Sequence, residues 1–282
     1  SPMPVAAQSL VYGCISHVPI SISYPPSITP IYLGCAQQNG GINLRDFAPE
    51  WVPHHPILGG SAGTFALKNY VLAQCPQATH VGLCQYRKFM ARHRVGSQDG
   101  KYQLMDVLPR AQLQGLDLAH VMLDDLDDFL FSPPGQFAMN GRNFDYLYQY
   151  KDVHHVQDLL RVTAEAVDQG LLDKNEVHGF FSEQVFIPGG IELGVFPTSF
   201  WIPRVMAMES VVRACIQRYP AREHPRTIEQ ARSWSFCMER LGSFMLLKYL
   251  RTNPQAAHWP TRYIGCLPLV TEEAGVGYVP GV

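Results

Sequence analysis

The chain has 282 residues, of which 46% are hydrophobic and 16% charged. A chain of that length buries roughly 75% of its unfolded surface, so it needs no disulfide or metal staple to fold. Its 22 Lys and Arg against 24 Asp and Glu leave a net charge of −2, which excludes the broad basic footprint of a nucleic-acid-binding domain.

In chain order, "LVYGCIS" (10–16) reads as a first strand with His17 at its carboxyl end, and "PIYLGC" (30–35) as a second. The Pro/Ser-rich stretch between them is loop. Residues 36–62, rich in Gly, Asn, Pro and His, predict a long surface excursion, a kind of loop that often carries function. "SAGTFALKNYVLAQC" (61–75) has helical spacing with Ser61 as its cap, and "THVGLC" (79–84) is the next strand. Residues 103–128 read as helical turns ending in "DDLDD", and "FLFSPPG" as a short strand stopped by two prolines. The spacing of Val153, Val156, Leu160, Ala164 and Val167 predicts one helix over 148–170. "EQVFIPGG" and "LGVFPTSFWI" are strand-like. Residues 203–219, with Pro203 in the first turn, and 233–250 are helices, and 262–270 is a final strand. Strands alternating with helices predict a single α/β domain over 1–282 with a mostly parallel sheet flanked by helices.

The seven cysteines, Cys14, Cys35, Cys75, Cys84, Cys215, Cys237 and Cys266, form no C-x-x-C pair and read as reduced core thiols of a cytoplasmic protein. The start does not read as a secretory signal. Apolar runs such as "SFMLLKYL" fall far below the ~18 residues of a membrane span, which leaves only peripheral membrane contact.

Several residues carry chemistry by position. "HVGLCQYRKFM" puts Arg87 and Lys88 at the carboxyl end of a buried strand, where ligands bind in open α/β sheets; the alternative is a solvated strand end. Asp125 and Asp127 have Asp-x-Asp spacing but precede the strand "FLFS", so they suit the polar end of a surface helix better than a metal site. His154 and Asp158, four apart on the predicted helix, share a face, either as a sugar-gripping pair or as a stabilising surface pair. "GGSAG" (Gly59, Gly60, Ser61, Gly63) before a helix could hold an anion on backbone amides, or serve as a simple connection. Phe196, Phe200 and Trp201 read as core.

"THVGLCQYRKF" resembles the VGLxHYRRxF box of a bacterial family associated with capsular polysaccharide synthesis, whose members are similar to GT-A glycosyltransferases. "QYKDVHHVQDL", "RSWSFCMERL" and "LVYGCISH" resemble further family segments in the same order, spanning roughly residues 10–250. Gln85 stands where the family has His, and Ser235 where it has Gly. The resemblance implies a GT-A-like α/β fold and transfer of a sugar from a nucleotide diphosphate, UDP-linked, to a saccharide or lipid-linked saccharide acceptor. It implies a donor site of His17, Gln85, Arg87, Lys88 and Arg240, with Arg87 and Lys88 in place of a divalent metal and no other cofactor. On the acceptor side it implies His154 and Asp158. For an inverting reaction it implies Glu239 as general base, with Asp158 as second candidate; an ion pair of Glu239 with Arg232 or Arg240 is the competing role. The work would be done in the cytoplasm, or at the inner face of the membrane. A glycoside hydrolase, and a binding protein without catalysis on the same fold, are the rival readings.

Overall fold

The computed structural model describes residues 9–34, 41–98, 102, 104–220, 226–253 and 259–272. The chain runs through β1 (Leu10–Ser16), β2 (Ile28–Tyr32), the short β3 (Ile42–Asn43), α1 (Leu44–Phe47), α2 (His55–Leu58) and α3 (Gly60–Gln74). Then come β4 (His80–Gln85), β5 (Ser97–Gln98), β6 (Asp106–Pro109), α4 (Arg110–Leu113) and α5 (Leu118–Leu123). β7 (Gly135–Met139) and β8 (Arg142–Phe144) lead to α6 (Tyr146–Val153), α7 (Val156–Asp168) and α8 (Val177–Phe181). β9 (Val185–Phe186) and β10 (Gly194–Pro197) precede α9 (Thr198–Arg218), α10 (Ile228–Ala231), α11 (Ser233–Thr252) and β11 (Pro268–Thr271).

The main sheet has the order β10-β4-β1-β2-β3. Its four other strands are parallel and the edge strand β10 is antiparallel. Both faces are covered, which is why β1 and β4 read as continuous apolar runs rather than alternating ones. Val11, Ile15, Val81 and Leu83 face a core with Phe65, Trp201, Trp234 and Leu246. Tyr12, Cys14 and Cys84 face the opposite core, with Phe89, Met90 and Leu108. Helix α3 lies very close to β1, since a Cβ on Gly63 would sit 2.5 Å from Ile15 Cγ2.

Several elements differ from the expectation. "FLFS" (129–132) makes only isolated bridges, Leu130 with Val195 and Phe131 with Ile264, the continuous final strand begins only at Pro268, and α3 is capped by Gly59 with Ser61 inside its first turn. Residues 106–109 form a buried strand, β6, parallel to β11, not a helical turn; "DVLP", with two apolar residues between Asp106 and Pro109, is too short to reveal a period. Helix α9 starts at Thr198, so "TSFWI" is helix and Pro203 lies inside it. The described part of the excursion, from residue 41, is folded rather than loop. Asn43 and Asp46 form a capping box that starts α1, and Trp51 is buried at 2% exposure. The predicted helix over 148–170 breaks at His154, which has extended backbone (φ −139°, ψ −178°) between α6 and α7.

That break resets the helical phase. Val153 and Leu160 are exposed, while Asp158, Leu159, Val162, Thr163 and Ala166 turn inward. Among the described residues six cysteines stand as thiols, and four of them are buried; Cys35 lies outside those residues. No described helix is long and apolar enough to cross a membrane.

Candidate functional site

The parallel pairing of β1 and β4 sets Ile15 opposite Gln85, so both strands end at the same edge. His17 and the segment 85–88 therefore emerge side by side. The Gln85 N–H donates to Lys88 O (2.8 Å), and Gln85 O accepts from the Tyr24 hydroxyl (2.6 Å). The Val270 N–H donates to Arg87 O (2.8 Å), which pins this tight turn against β11. Arg87 is buried at 8% exposure, with its guanidinium 5.2 Å from the Tyr86 ring centre. The Tyr86 ring meets His17 edge-on at 5.1 Å. Burial first, then the charges of Arg232, His55 and Arg87, hold the His17 pKa below its ordinary value. Basic side chains from four separate segments thus crowd the ends of β1 and β4.

Acidic groups line the neighbouring side. Arg232 caps α11, and a Cβ on Gly59 would lie 3.2 Å from Ser235 Oγ and 3.6 Å from Arg232 Cδ. The first turn of α11 therefore rests on the α2–α3 junction. Glu239, further along α11, accepts a hydrogen bond from the Gly189 N–H (2.9 Å). Gly190 has φ +58°, and a Cβ there would sit 2.7 Å from Glu239 O, so only glycine lets this loop lie on α11. The same loop carries Glu192, 8% exposed. Burial pushes the Glu192 carboxyl up to about 7; the Ser61 and Thr64 hydroxyls beside it oppose that rise, and the nearby Glu239 adds to it. Among the described residues Glu239 forms no ion pair with Arg232 or Arg240.

Other expected residues lie elsewhere. Arg240 is buried at 3% exposure on another face of α11. Its guanidinium packs against Tyr150, Phe137 and Phe186 and donates to Gln149 Oε1 and Phe236 O. It is committed to the aromatic core rather than presented at the strand ends, a correction to its expected place in the donor site. His154 and Asp158 share no helix face, because the chain breaks between them. His154 stacks on Phe236 (4.1 Å between ring centres) and pairs through Nδ1 with Gln230 (2.9 Å). Burial, then the Arg240 charge, push its pKa down to about 4. Asp158 is fully buried and ion-paired to Arg226 at 2.5 Å. Arg226 also donates to Ser233 Oγ (3.1 Å), which ties α7 to the start of α11.

Asp127 pairs with Arg262 and accepts from the Asp128 N–H, as suits a structural acid. In "GGSAG", Gly63 serves the close approach of α3 to β1, and Gly59 takes the positive φ (+53°) that turns α2 into α3. Phe196, Phe200 and Trp201 are core. Among the described residues no three His, Cys, Asp or Glu gather as a metal site. A cavity of about 600 Å³ opens between the 21–26 loop, Tyr24 included, and residues drawn from 110–119.

Sequence reasoning passed over Glu192 entirely, and it considered Arg232 only as an ion-pair partner. The available signal was "GGIELG", one acid in an apolar, glycine-rich segment between two strand-like runs. Such an acid is buried whenever the segment is.

No protein-family model matches the chain, and no curated protein matches it. Among solved structures, the fold is similar to that of the apo WbbM bifunctional glycosyltransferase, with a TM-score of 0.67 at 13% identity. The similarity covers 93% of this chain and 45% of that one, so the chain spans less than half of its structural neighbour.

Proposed function

We propose that the protein is a GT-A-like glycosyltransferase domain that moves a sugar from a nucleotide diphosphate to a saccharide acceptor. The observation that carries this reading is the pairing, at the ends of β1 and β4, of a basic rim with an acidic wall. Arg87, Arg232 and His17 form the rim, and Glu239 and Glu192 the wall. The similarity of the fold to a glycosyltransferase supports it. Arg87 suits a diphosphate because its planar fork of donors matches phosphate oxygens. Lys88 and Gln85 lie in the same turn. Arg232 takes the second cationic position in place of Arg240.

In this reading the acceptor hydroxyl attacks the anomeric carbon while Glu239 removes its proton. The bond from that carbon to the β-phosphate oxygen breaks, and the nucleoside diphosphate leaves with its charge held by Arg87 and Arg232. The Gly189 N–H, bonded to one Glu239 oxygen, fixes the carboxylate and keeps the other oxygen for the proton. We assign Asp158 to positioning α11 through Arg226 rather than to the acceptor. His154 is taken as a neutral packing group beside it. The acceptor belongs to surface polysaccharide assembly on the cytoplasmic side.

A thermal-shift screen with UDP, GDP, CDP and their sugars tests the donor, because specific binding stabilises the fold by mass action. Arg87→Ala should weaken the nucleotide that scores at least about tenfold, and Arg87→Lys should not restore it fully. Turnover should survive a chelator. Activity that vanishes with chelator and returns with manganese would refute the cationic reading. The paired acids are also what a glycoside hydrolase requires. Cleavage of a preformed glycoside, with no nucleotide binding, would establish that alternative.

A further inference from the structure

The cavity of about 600 Å³ between the loop after β1 and the residues after β6 takes no part in the proposed reaction. Ile22, Leu113 and Leu118 form its floor, each under 10% exposed and each part of the core that holds Phe89 and Leu108. Ser21, Ser23, Gln114 and Asp117 are exposed and supply polar groups at its edge. Tyr24, Pro25 and Pro26 complete one wall.

Both walls are built without a ligand. The two prolines fix their own φ angles, and the Tyr24 and Ile28 N–H groups donate to Ile22 O and Pro25 O (both 3.0 Å). The Tyr24 hydroxyl donates to Gln85 O (2.6 Å), and its ring meets Phe89 edge-on. On the opposite wall the Leu116 N–H donates to Leu113 O (3.1 Å), and Asp117 caps α5 by accepting from the His120 N–H (3.2 Å). A site held in this way needs little ordering when a ligand binds. Tyr24 also joins the cavity to the candidate site, because it lines the one and holds the carbonyl where the turn carrying Arg87 begins.

Charge narrows the occupant. Arg110, the one cation that lines the cavity, is clamped by Glu272, whose carboxylate accepts from its Nε (3.2 Å) and Nη2 (3.1 Å). With Asp117 beside this pair the surroundings are net negative, which disfavours a phosphate. A divalent cation needs several convergent oxygens, and among the described residues no three ligating side chains gather. A wholly apolar ligand would strip water from Gln114, Asp117 and the two serines and replace none of it. A sugar ring suits both surfaces. Its C–H face packs on the apolar floor and the proline rings, and its hydroxyls, each a donor and an acceptor, meet the amide, hydroxyl and carboxylate groups at the edge.

We propose that this cavity binds a neutral glycosyl residue of the acceptor chain, one removed from the residue that reacts. This rests on the reading of the protein as a nucleotide-sugar transferase. The reacting hydroxyl belongs beside Glu239, and the cavity holds the chain further back and sets its direction. Binding energy from such a non-reacting part of the substrate serves to orient the part that reacts.

Saturation-transfer NMR and melting curves of the wild type, Ser23→Trp, Ala119→Trp and Gln114→Ala test this. The probes are the methyl glycosides of glucose, galactose, mannose, rhamnose and N-acetylglucosamine, at up to about 100 mM, well above the millimolar Kd of a weak site. UDP, GDP and CDP are titrated alongside. Ser23→Trp and Ala119→Trp fill the cavity from opposite walls, both from exposed positions. At least one glycoside should bind the wild type, and each Trp variant should weaken it by about tenfold or more through direct clash. Gln114→Ala should weaken it roughly 2–10-fold, the net worth of one hydrogen bond. The nucleoside diphosphate that binds best should stay within about twofold of its wild-type affinity in all three variants, as for separate sites.

A glycoside that binds undiminished to a Trp variant with a wild-type melting curve overturns the subsite. A panel in which no glycoside binds overturns it too. So does loss of the nucleoside diphosphate in both Trp variants, which would make the cavity a nucleoside pocket and leave the transferase reading intact. Where a Trp variant melts early, Gln114→Ala decides, and an affinity equal to wild type overturns the subsite. If a glycoside binds in the cavity but no nucleoside diphosphate binds the wild type, the saccharide site stands and the transferase reading falls.

Discussion

Glu239→Gln preserves the shape of the side chain and can still accept from the Gly189 N–H, but it cannot take a proton. A positioned base contributes roughly 10²–10⁴-fold, so the variant should fold, bind donor normally and lose about two or more orders of magnitude in kcat. Near-normal turnover would remove Glu239 as the base. Two groups with shifted pKa values, Glu192 and His154, give stability opposite pH dependences. The Glu192 pKa is raised from 4.5 to about 7, so the fold keeps a proton that the unfolded chain releases between those values. Stability therefore falls as pH climbs through that window, by at most roughly 3 kcal/mol, and is level above it. The His154 pKa is lowered from 6.5 to about 4. There the unfolded chain takes up the proton first, and stability falls as pH drops from about 6.5 toward 4. The two slopes oppose each other over much of the same range and partly cancel in the wild type. Urea unfolding across pH 4–8 should show a weaker alkaline loss in Glu192→Gln and a weaker acid loss in His154→Gln.

At the scale of elements, the first turn of α11 matters most, because it carries Arg232 and leads to Glu239. It is held by the Asp158–Arg226–Ser233 knot from α7. Asp158→Asn leaves the Arg226 guanidinium, itself 5% exposed, without its charge partner. Removing one member of a buried pair typically costs about 3–5 kcal/mol. Denaturant unfolding should show a loss of that order, and adding Arg226→Gln should recover part of it. A stable Asp158→Asn with a raised KM for acceptor alone would return Asp158 to the acceptor site. Hydrophobic spacing could not reveal this knot. The inward face of α7 carries Asp158, Thr163 and Glu165, and the apolar stripe of the sequence, Val153 and Leu160 included, lies largely on its outer side. A helix whose buried face holds paired charges reads, by hydrophobicity, as if turned outward.

At the scale of the molecule, the excursion after β2 is anchored by one buried network. Lys68 of α3 pairs with Glu209 of α9 at 2.7 Å, and Trp51 Nε1 donates to the same carboxylate at 2.8 Å. Both charged side chains are under 10% exposed. The network holds His55 and the α2–α3 junction beside the strand ends. Lys68→Met should cost about 3–5 kcal/mol, because it leaves Glu209 buried without its closest cation. The double variant Lys68→Met, Glu209→Leu should cost less than Lys68→Met alone. A loss no larger than that of a surface substitution, under about 0.5 kcal/mol, would show that Arg213, 3.7 Å from Glu209, suffices.

The sequence alone determined β1, β4, α3 and α11 to within about two residues, together with the cationic turn at the end of β4. Their signals are local: a strand covered on both faces is an unbroken apolar run, and a long packed helix repeats every three to four residues. The tertiary structure decided the rest. It made 106–109 a strand by pairing it with β11, broke the predicted helix at His154, and turned Arg240 into the core while its neighbour Glu239 faced the loop at Gly189. It also placed Glu192 against Ser61. Each of these depends on which distant group covers a side chain or satisfies its hydrogen bonds, and spacing along the chain carries no record of that.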